Sequence, residues 1–556
     1  MATLLCFLLL CQFIGVTFSS PLQPQSWATT QWDVIVIGSG PAGIITASRL
    51  SENTAKNVLL LEGGGPSYGI TGGTERPQWL VGTNLSRVDV PGLYLSIFSD
   101  PTNLTCGNKV NAFGGCAIGG SSAINAGLFF EPPQSDFDTY FPTGWKHADL
   151  LPSITRLYQT QPSTNLTSQD HIRYEQSGYT AAKNWLVNGS GYSELDINAN
   201  AARKTKVFGH PIYDYNNGQR GGPAITYLQT ALKRSNFHLQ SGTWVQRVIR
   251  TGNTATGVVA NVSSVMTTIS LAPKGRVIIS NGALKSPELL MKSGIGDPAV
   301  LERLQQANKL GGLPSSAWIN NTAVGAGLFD NPNTFIELSS PSIQSYTYSY
   351  NAPIASDETL YLQSRSGPYS YASEVSVFWD TIQRSDGTIA GMQGTIGTAG
   401  YSGYTNNETV TLNIYGTSGL KSTGKVVLDS NFIPGPSGVY YSNPQDAQDI
   451  ATFIHGIFAT LPGSGLTPLN IPPTATQAQI VQYITTYSAY AEGETNHWSS
   501  SCRFGACVDT NATVIGMTNL HVVDGSIVAP FTVNPQMGIM IAAERASELI
   551  AELLSA

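Results

Sequence analysis

A glycine-rich turn between two short apolar segments constrains the fold of this chain more than any other feature. Residues 34–37 (VIVI) carry no charge, which is typical of a buried parallel strand. Gly38, Gly40 and Gly43 follow at once with the spacing G-x-G-x-x-G. In that pattern the first glycine allows a tight turn and the second lets a pyrophosphate approach the backbone. The third lets the next helix pack closely on the strand.

The residues after the turn match the rest of a βαβ nucleotide-binding unit. Residues 44–50 predict a helix whose free N-terminal amides would face phosphate groups. Residues 58–61 form a second apolar segment that ends at Glu62, nineteen residues beyond Gly43. A carboxylate at that distance can accept a hydrogen bond from a ribose hydroxyl. The sequence therefore predicts a dinucleotide site; a glycine-rich turn without a ligand is the alternative.

Length and charge narrow the classes of function. The chain has 556 residues, enough for about two to four domains. Its net charge is −7 and only 12% of its residues are charged. Because the chain is acidic and has no basic cluster, we expect no nucleic-acid partner.

The N-terminus predicts a secreted protein. Residues 1–20 contain an apolar run that is too short to span a bilayer and is followed by small residues. We interpret this segment as a signal peptide, although it lacks Lys and Arg; a buried N-terminal helix is the alternative. No later stretch reaches membrane-spanning length, so we expect no membrane association.

Cysteines and glycosylation sequons agree with secretion. Outside the predicted signal peptide the cysteines are Cys106, Cys116, Cys502 and Cys507, an even number that favours disulfides in an oxidising compartment. We favour the pairs that are close in sequence, 106 with 116 and 502 with 507, although four cysteines allow three connectivities. We expect no metal site, because the few histidines are not spaced as zinc ligands. Sequons for N-glycosylation occur at Asn84, Asn103, Asn165, Asn188, Asn261, Asn320, Asn407 and Asn511.

The middle of the chain has a different pattern from its two ends. Residues 330–420 alternate polar with apolar or aromatic residues, as at Tyr346, Tyr348 and Tyr350 and at Val375, Val377 and Trp379, which predicts a broad antiparallel sheet. Helices are predicted over residues 147–160, 171–188 and 288–293. Near the C-terminus, a predicted strand at 520–523 and a predicted helix at 537–554 repeat the strand-and-helix pattern of the N-terminal segment. The nucleotide-binding part is therefore discontinuous.

Two longer segments carry a family resemblance. Residues 115–132 (GCAIGGSSAINAGLFFEP) and 282–296 (GALKSPELLMKSGIG) resemble the first and second signatures of the glucose–methanol–choline (GMC) flavin oxidoreductases. With the glycine turn before them and Asn534-Pro535 near the end, the resemblance covers nearly all of the mature chain. It implies FAD as the cofactor. We expect this FAD to be non-covalent, since no His stands where the covalently flavinylated relatives have theirs.

The resemblance also implies a fold. It is an α/β fold (α+β overall), in which a Rossmann-like FAD-binding domain carries an inserted substrate domain built on a large antiparallel sheet. The expected FAD-binding segments are residues 30–70, 105–135, 225–300 and 500–556. The expected substrate-binding segments are residues 71–104, 136–224 and 301–499.

Within the family, the chain is most similar to the flavin dehydrogenase domain of cellobiose dehydrogenases. The supporting segments are residues 88–101, 221–237, 272–296 and 495–500. Because the glycine turn begins soon after the predicted signal peptide, we expect no fused haem domain. One position differs, since the family's substrate-binding Arg aligns with a Gly in residues 393–397, which argues against cellobiose itself.

The resemblance assigns roles to individual residues. In this family a His takes the proton of the substrate hydroxyl while the carbinol hydrogen leaves as hydride to flavin N5. The matching base is His497, and Asn534 beside it can hydrogen-bond the substrate oxygen but cannot act as a base. The matching FAD-binding positions, beyond Gly38, Gly40, Gly43 and Glu62, are Gly119, Gly120, Ser121, Asn125, Val245, Asp524 and Gly525. The matching sugar-contacting positions are Glu175 and Asn496.

These observations predict a secreted FAD-dependent oxidoreductase that oxidises a hydroxyl of a sugar or another small alcohol to a carbonyl. A dehydrogenase or oxidase acting on an alcohol intermediate of secondary metabolism is the alternative. A non-catalytic flavoprotein is a third and weaker hypothesis. We favour a dehydrogenase over an oxidase, with a quinone or oxygen as the electron acceptor.

Overall fold

The computed structural model describes residues 26–100, 102–491 and 493–555, so the predicted signal peptide lies outside the described residues. The strands are β1 Trp32–Ile37, β2 Val58–Leu61, β3 Ser193–Glu194, β4 Val207–Gly209, β5 Tyr215–Asn216, β6 Gln219–Arg220, β7 Phe237–Gln240, β8 Thr243–Thr251, β9 Thr254–Val262, β10 Val265–Ile279, β11 Ile295–Gly296, β12 Ile319–Asn320, β13 Ala326–Leu328, β14 Asn333–Ser339, β15 Glu374–Gln383, β16 Ile389–Gly397, β17 Thr409–Gly416, β18 Gly424–Leu428, β19 Pro434–Ser437, β20 Thr467–Pro468 and β21 Leu520–Val522. The α-helices are α1 Ser26–Thr29, α2 Pro41–Leu50, α3 Leu95–Ser99, α4 Gln134–Tyr140, α5 His147–Thr160, α6 Ser177–Lys183, α7 Tyr227–Ala231, α8 Gly282–Lys292, α9 Pro298–Gln306, α10 Ala355–Ser364, α11 Pro444–Phe458, α12 Gln477–Thr485 and α13 Gln536–Ser555.

The first large sheet has the order β7-β2-β1-β10-β9-β8, and β21 also pairs with β10. Strands β7, β2, β1, β21 and the C-terminal half of β10 run parallel. The N-terminal half of β10 instead pairs antiparallel with β9, and β9 with β8. The uncharged run of β1 is at most 2% exposed, as a central strand covered on both faces requires.

The carboxyl ends of four parallel strands meet at one edge of this sheet. The amide of Gly38 donates to Leu61 O (2.8 Å), that of Ser280 to Ile37 O (2.7 Å), and that of Val523 to Ile279 O (2.9 Å). The glycine turn, the start of α8 and the segment after β21 therefore lie side by side. Ligands of parallel sheets bind outside this edge, so the fold places a binding site there.

The second large sheet has the order β20-β14-β17-β16-β15-β4-β3 and is antiparallel except for the pair β3 and β4. The predicted antiparallel sheet is confirmed, and Val375, Val377 and Trp379 lie on β15. The assignment of Tyr346, Tyr348 and Tyr350 to a strand was wrong, because these residues lie in the irregular segment between β14 and α10. The rings of Tyr346 and Tyr348 pack against each other, and the guanidinium of Arg87 lies over the ring of Tyr350.

Two predicted helices have different bounds in the structure. Helix α8 begins at Gly282, six residues before the predicted start, and contains Pro287. The proline leaves the carbonyl of Ala283 without its helical partner, and the Ser501 hydroxyl donates to it (2.5 Å). The predicted helix at 171–188 begins only at Ser177, because His171 and Glu175 have φ angles of 61° and 56°, incompatible with a helix.

Both favoured disulfides are confirmed: Cys106 bonds to Cys116, and Cys502 bonds to Cys507. No helix within the described ranges is long and apolar enough to cross a bilayer. The strands of the first large sheet come from segments predicted to bind FAD, and those of the second from segments predicted to bind substrate. The division of the chain into domains stays a prediction.

The close packing of α2 on the glycine turn gives a test of the fold. A Cβ atom added at Gly43 would lie 1.9 Å from Gly38 O, so we expect Gly43→Ala to cost about 1–3 kcal/mol of stability. The matched control is Gly456→Ala in α11, where an added Cβ meets nothing within 4 Å and the helix should gain about 1 kcal/mol. Denaturant unfolding of both variants measures the difference. Equal stability of the two variants would contradict the packing described here.

Candidate active site

One cavity of about 820 Å³ runs from the edge of the first sheet to the face of the second. At one end it is lined by Gly38, Gly40, Glu62, Trp244 and Val245. At the other end it is lined by Thr395, Tyr415, Asn496, His497 and Asn534. The cavity therefore joins the predicted nucleotide site to the predicted site of chemistry.

The three glycines of the turn differ in the space around them. Gly38 has a φ of 99°, and a Cβ there would lie 2.4 Å from Ser280 O. Gly43 does not line the cavity but allows α2 to approach the strand end. A Cβ on Gly40, by contrast, would meet nothing within 4 Å, so its backbone faces open cavity where a ligand can approach. The first turn of α2 begins beside it, with its unpaired amides at a favourable position for phosphate oxygens.

Glu62 lies at the end of β2 and is only 6% exposed. Its Oε2 accepts hydrogen bonds from the amide (2.8 Å) and hydroxyl (2.7 Å) of Ser39, and its Oε1 accepts one from the amide of Gly64 (2.8 Å). Burial raises the pKa of this carboxyl, while these donors and the backbone amide of Gly63 oppose that shift. Glu62 also lines the cavity, where a ribose hydroxyl could approach its carboxylate.

The first signature packs against the glycine turn. The amide of Gly119 donates to Ser39 O (2.8 Å), and a Cβ on Gly120 would lie 2.8 Å from the Cα of Gly40. Both glycines adopt positive φ angles, 98° and 55°. Gly120, Ser121 and Asn125 line the cavity, whereas Gly119 supports the segment from behind.

Asp524 and Gly525 follow β21 and line the middle of the cavity. The Oδ2 of Asp524 accepts from the amide of Gly282 (2.9 Å) and the hydroxyl of Ser286 (2.5 Å), so this carboxylate ties the second signature to the C-terminal strand. Burial raises the pKa of Asp524. Gly525 allows close approach, because a Cβ there would lie 3.0 Å from Trp498 O.

His497 and Asn534 meet at the other end of the cavity. The His497 Nε2 lies 3.3 Å from the Nδ2 of Asn534, and its Nδ1 lies 2.9 Å from the Oδ1 of Asn331. The ring of Tyr415 stands edge-on to the imidazole at 5.8 Å between centroids. Burial lowers the pKa of His497 to about 4, so the imidazole is neutral at pH 7.

A carboxylate that the sequence analysis missed holds the backbone of this segment. The Asp330 side chain accepts from the amides of Thr495 (3.0 Å), Asn496 (3.0 Å) and His497 (2.6 Å), and also from the hydroxyl of Tyr440 (2.6 Å). Burial raises the pKa of Asp330 to about 6. In the sequence, Asp330-Asn331 precedes a proline and is typical of an ordinary turn, so no local pattern indicated this role.

The two predicted substrate residues differ in position. Asn496 lines the cavity, and its Oδ1 accepts from the indole of Trp498 (3.2 Å). Glu175 is not among the cavity-lining residues; it is partly exposed on the segment before α6. Desolvation and the charge of Asp357 raise the pKa of Glu175 to about 7. The structure therefore does not bring Glu175 into the cavity with the other predicted residues.

Comparisons with known proteins agree with this arrangement. The family model for the N-terminal part of the GMC oxidoreductases matches residues 33–333, and that for the C-terminal part matches residues 421–543. An oxygen-dependent choline dehydrogenase of Staphylococcus saprophyticus is 26% identical over 574 residues, which cover 93% of this chain and 94% of that protein. One from Pseudomonas putida is 28% identical, but the match spans only about half of either protein, 49% of this chain and 50% of the relative.

A solved structure shares the fold. A formate oxidase variant of Aspergillus oryzae RIB40, studied for FAD modification, superposes with a TM-score of 0.76 at 16% identity. The superposition covers 94% of this chain and 98% of that chain. At this level of identity the likeness shows the fold alone.

Proposed function

The chain belongs to the GMC oxidoreductase family, and we propose that it oxidises a hydroxyl group of a small alcohol to a carbonyl with FAD as its cofactor. A sugar is the favoured substrate class. One observation carries the proposal: a neutral imidazole and a side-chain amide meet in the same cavity that starts at the glycine turn.

The residues at the nucleotide end fit FAD. Gly40 and Gly282 leave open space where a backbone must approach a phosphate, and the Glu62 carboxylate lines the cavity where a ribose hydroxyl would lie. The proposed FAD-binding residues are Gly38, Gly40, Gly43, Glu62, Gly119, Gly120, Ser121, Asn125, Val245, Asp524 and Gly525. When bound, FAD supplies the acceptor for the hydride that leaves the carbinol carbon.

His497 is the proposed base. Because its pKa is lowered to about 4, its ring is unprotonated at neutral pH and can accept the hydroxyl proton of an alcohol. Asn534 is the proposed partner at the same oxygen. Its Oδ1 already accepts from Gln393 (2.7 Å) and Tyr415 (3.2 Å), so its Nδ2 is the group left to donate toward the substrate.

The walls around this end of the cavity support a substrate with both apolar faces and hydroxyl groups. Aromatic side chains line it at Tyr94, Phe98, Phe113, Phe335, Tyr346, Tyr348, Tyr401 and Tyr415. Polar side chains line it at Asn333, Thr395, Thr398, Thr411, Asn413 and Asn496. A sugar ring stacks on such faces while its hydroxyls bond to the polar groups. Asn496 stays a proposed contact, and Glu175 could take part only if the substrate extended beyond the cavity.

The aromatic walls also favour the second candidate, an aryl or polyketide alcohol of secondary metabolism. Among the described residues that line the cavity, Lys285 is the only Lys or Arg, and it lies near Trp244 at the nucleotide end. No guanidinium therefore lines the substrate end, and Gly397 lies there on β16. This arrangement does not favour cellobiose.

We also propose that the enzyme is a dehydrogenase rather than an oxidase, that a quinone or oxygen accepts its electrons, and that the protein is secreted. Secretion is supported by two disulfides and by the sequon asparagines, none of which is buried. The predicted signal peptide lies outside the described residues.

The proposed base gives the first functional test. We expect His497→Ala to keep its FAD but to lower the rate constant for flavin reduction by substrate about 100- to 10,000-fold, because the proton acceptor is lost. The matched control is His455→Ala on the exposed face of α11, which should reduce at the parent rate. Stopped-flow absorbance under anaerobic conditions measures both. Reduction of His497→Ala at near the parent rate would remove this residue from the role.

The lowered pKa predicts the pH dependence. His497 is half-protonated near pH 4, so kcat/KM should stay flat from about pH 8 down to about pH 5 and fall about tenfold per pH unit below 4. The measurement is kcat/KM against pH, with circular dichroism at each pH to confirm that the protein is folded. An acid limb near 6.5, the ordinary value for His, would contradict the burial of the imidazole described here.

Candidate alcohols separate the proposed substrate classes. Anaerobic bleaching of the flavin absorbance by sugars supports the first candidate, and bleaching by aryl or polyketide alcohols supports the second. If no alcohol in a broad panel bleaches the flavin of purified, FAD-loaded protein, then the chain is a binding protein and the proposed activity is wrong.

A further inference from the structure

We propose that Asn331, together with a directional chain of hydrogen bonds through the cavity wall, fixes which nitrogen of His497 carries the proton. Asn331 is thus a positioning residue for the proposed base, and the inference rests on the proposed function. These hydrogen bonds join residues from six separate parts of the sequence.

One end of this series of hydrogen bonds, the indole of Trp379, can only donate a hydrogen bond. The indole nitrogen of Trp379 has a hydrogen and no lone pair for accepting. It donates to Oε1 of Gln393 (3.0 Å) and, at a longer distance, to the carbonyl of Thr532 (3.2 Å). The Gln393 amide is thereby oriented, so its Nε2 donates to Oδ1 of Asn534 (2.7 Å). The Asn534 amide is oriented in turn, and its Nδ2 faces the Nε2 of His497 (3.3 Å). An N–H donor at that place favours an unprotonated Nε2.

The other end of the series, the carbonyl of Gly416, can only accept a hydrogen bond. The Nδ2 of Asn331 donates to the backbone carbonyl of Gly416 (2.8 Å), which has no hydrogen to give. The Oδ1 of Asn331 must therefore accept, and its neighbour is the Nδ1 of His497 (2.9 Å). This contact places the proton of the neutral imidazole on Nδ1.

The two ends impose the same tautomer from opposite sides. Every group between Trp379 and Gly416 has one possible direction, because the first has no acceptor and the last has no donor. The lone pair of His497 Nε2 is thus held toward Asn534 and the cavity, where a substrate hydroxyl would release its proton. Asn331 and Gln393 are at most 4% exposed, so water does not offer competing partners to this chain.

Two substitutions at Asn331 separate positioning from packing. Asn331→Leu has a similar size but leaves the buried Nδ1–H without an acceptor, so that only the long 3.3 Å contact with Asn534 still favours this tautomer. The Nε2–H tautomer should then become populated as well, and we expect the rate constant for flavin reduction to fall about 10- to 100-fold. In Asn331→Asp, a carboxyl protonated on the oxygen that faces Gly416 O donates there and keeps its other oxygen as the acceptor of Nδ1–H. This variant should retain the tautomer and reduce flavin within a few-fold of the parent rate.

The matched control is Asn470→Leu. Asn470 also bonds to backbone in the second sheet, accepting from the amide of Glu337 (3.0 Å) and donating to Phe335 O (3.1 Å), but it does not line the cavity. Its loss should destabilise the sheet without changing the imidazole of His497 or the rate constant for flavin reduction.

Nitrogen NMR of ¹⁵N-histidine-labelled protein gives a readout that does not depend on turnover. The signals of His497 are identified by their loss in His497→Ala, and long-range ¹H–¹⁵N correlations show which ring nitrogen carries the proton. We expect Nδ1–H in the parent, in Asn331→Asp and in Asn470→Leu, and a mixture in Asn331→Leu. Nε2–H in the parent, or an unchanged tautomer in Asn331→Leu, would overturn the inference.

The role of His497 as base and the role of Asn331 as its positioning residue are tested by different variants. If His497→Ala reduces flavin like the parent, the proposed function loses its base. If His497→Ala is inactive but Asn331→Leu keeps both the parent rate and the parent tautomer, only the role of Asn331 is wrong. If Asn331→Leu does not fold, the tautomer of the parent and of Asn331→Asp still decides the inference.

Discussion

The parallel pairing of β1 with β10 is the constraint on which the site depends. This pairing joins a strand near the N-terminus to one more than 200 residues later, and β21 then pairs with the other side of β10. As a result the glycine turn, the start of α8 and Asp524 lie at one sheet edge. Gly38 and Gly43 permit two very close backbone contacts beside this pairing, since an added Cβ would lie 2.4 Å from Ser280 O at Gly38 and 1.9 Å from Gly38 O at Gly43. A side chain at either position would force the turn, the strand end or helix α2 to shift.

The second sheet supplies side chains that contact His497 and Asn534, the residues proposed to act on the substrate. Gln393 and Tyr415 lie on its central strands, and Asn331 lies just before β14. These side chains orient Asn534 and His497, which come from irregular segments near the C-terminus. Asp330 holds the irregular backbone before His497 in place, because its carboxylate accepts hydrogen bonds from three consecutive amides of that segment. Burying so many polar groups would be costly if any lacked a partner, and the chain from Trp379 to Gly416 satisfies each one in a single orientation.

Burial has opposite effects on the two ends of the cavity. At the nucleotide end it raises the pKa of the Glu62 and Asp524 carboxyls, and several backbone and hydroxyl donors oppose that shift. At the other end, desolvation lowers the pKa of His497 to about 4. The imidazole is therefore unprotonated at neutral pH, as the proposed role of accepting a hydroxyl proton requires.

The sequence alone determined the features that depend on local spacing. The glycine turn, β1, β2 and α5 follow from patterns within a few residues, and the signatures identified the family and FAD. The tertiary structure decided what depends on distant residues. Helix α8 starts early because Ser501, more than 200 residues away, satisfies the carbonyl that Pro287 leaves free. In the sequence, Asp330 and Asn331 are typical of a turn, but the fold brings both of them into contact with His497. Glu175 was predicted to contact the substrate, but it does not line the cavity. The physical reason is that a hydrogen bond acts over about 3 Å in space, and only the folded chain sets which distant side chains come that close.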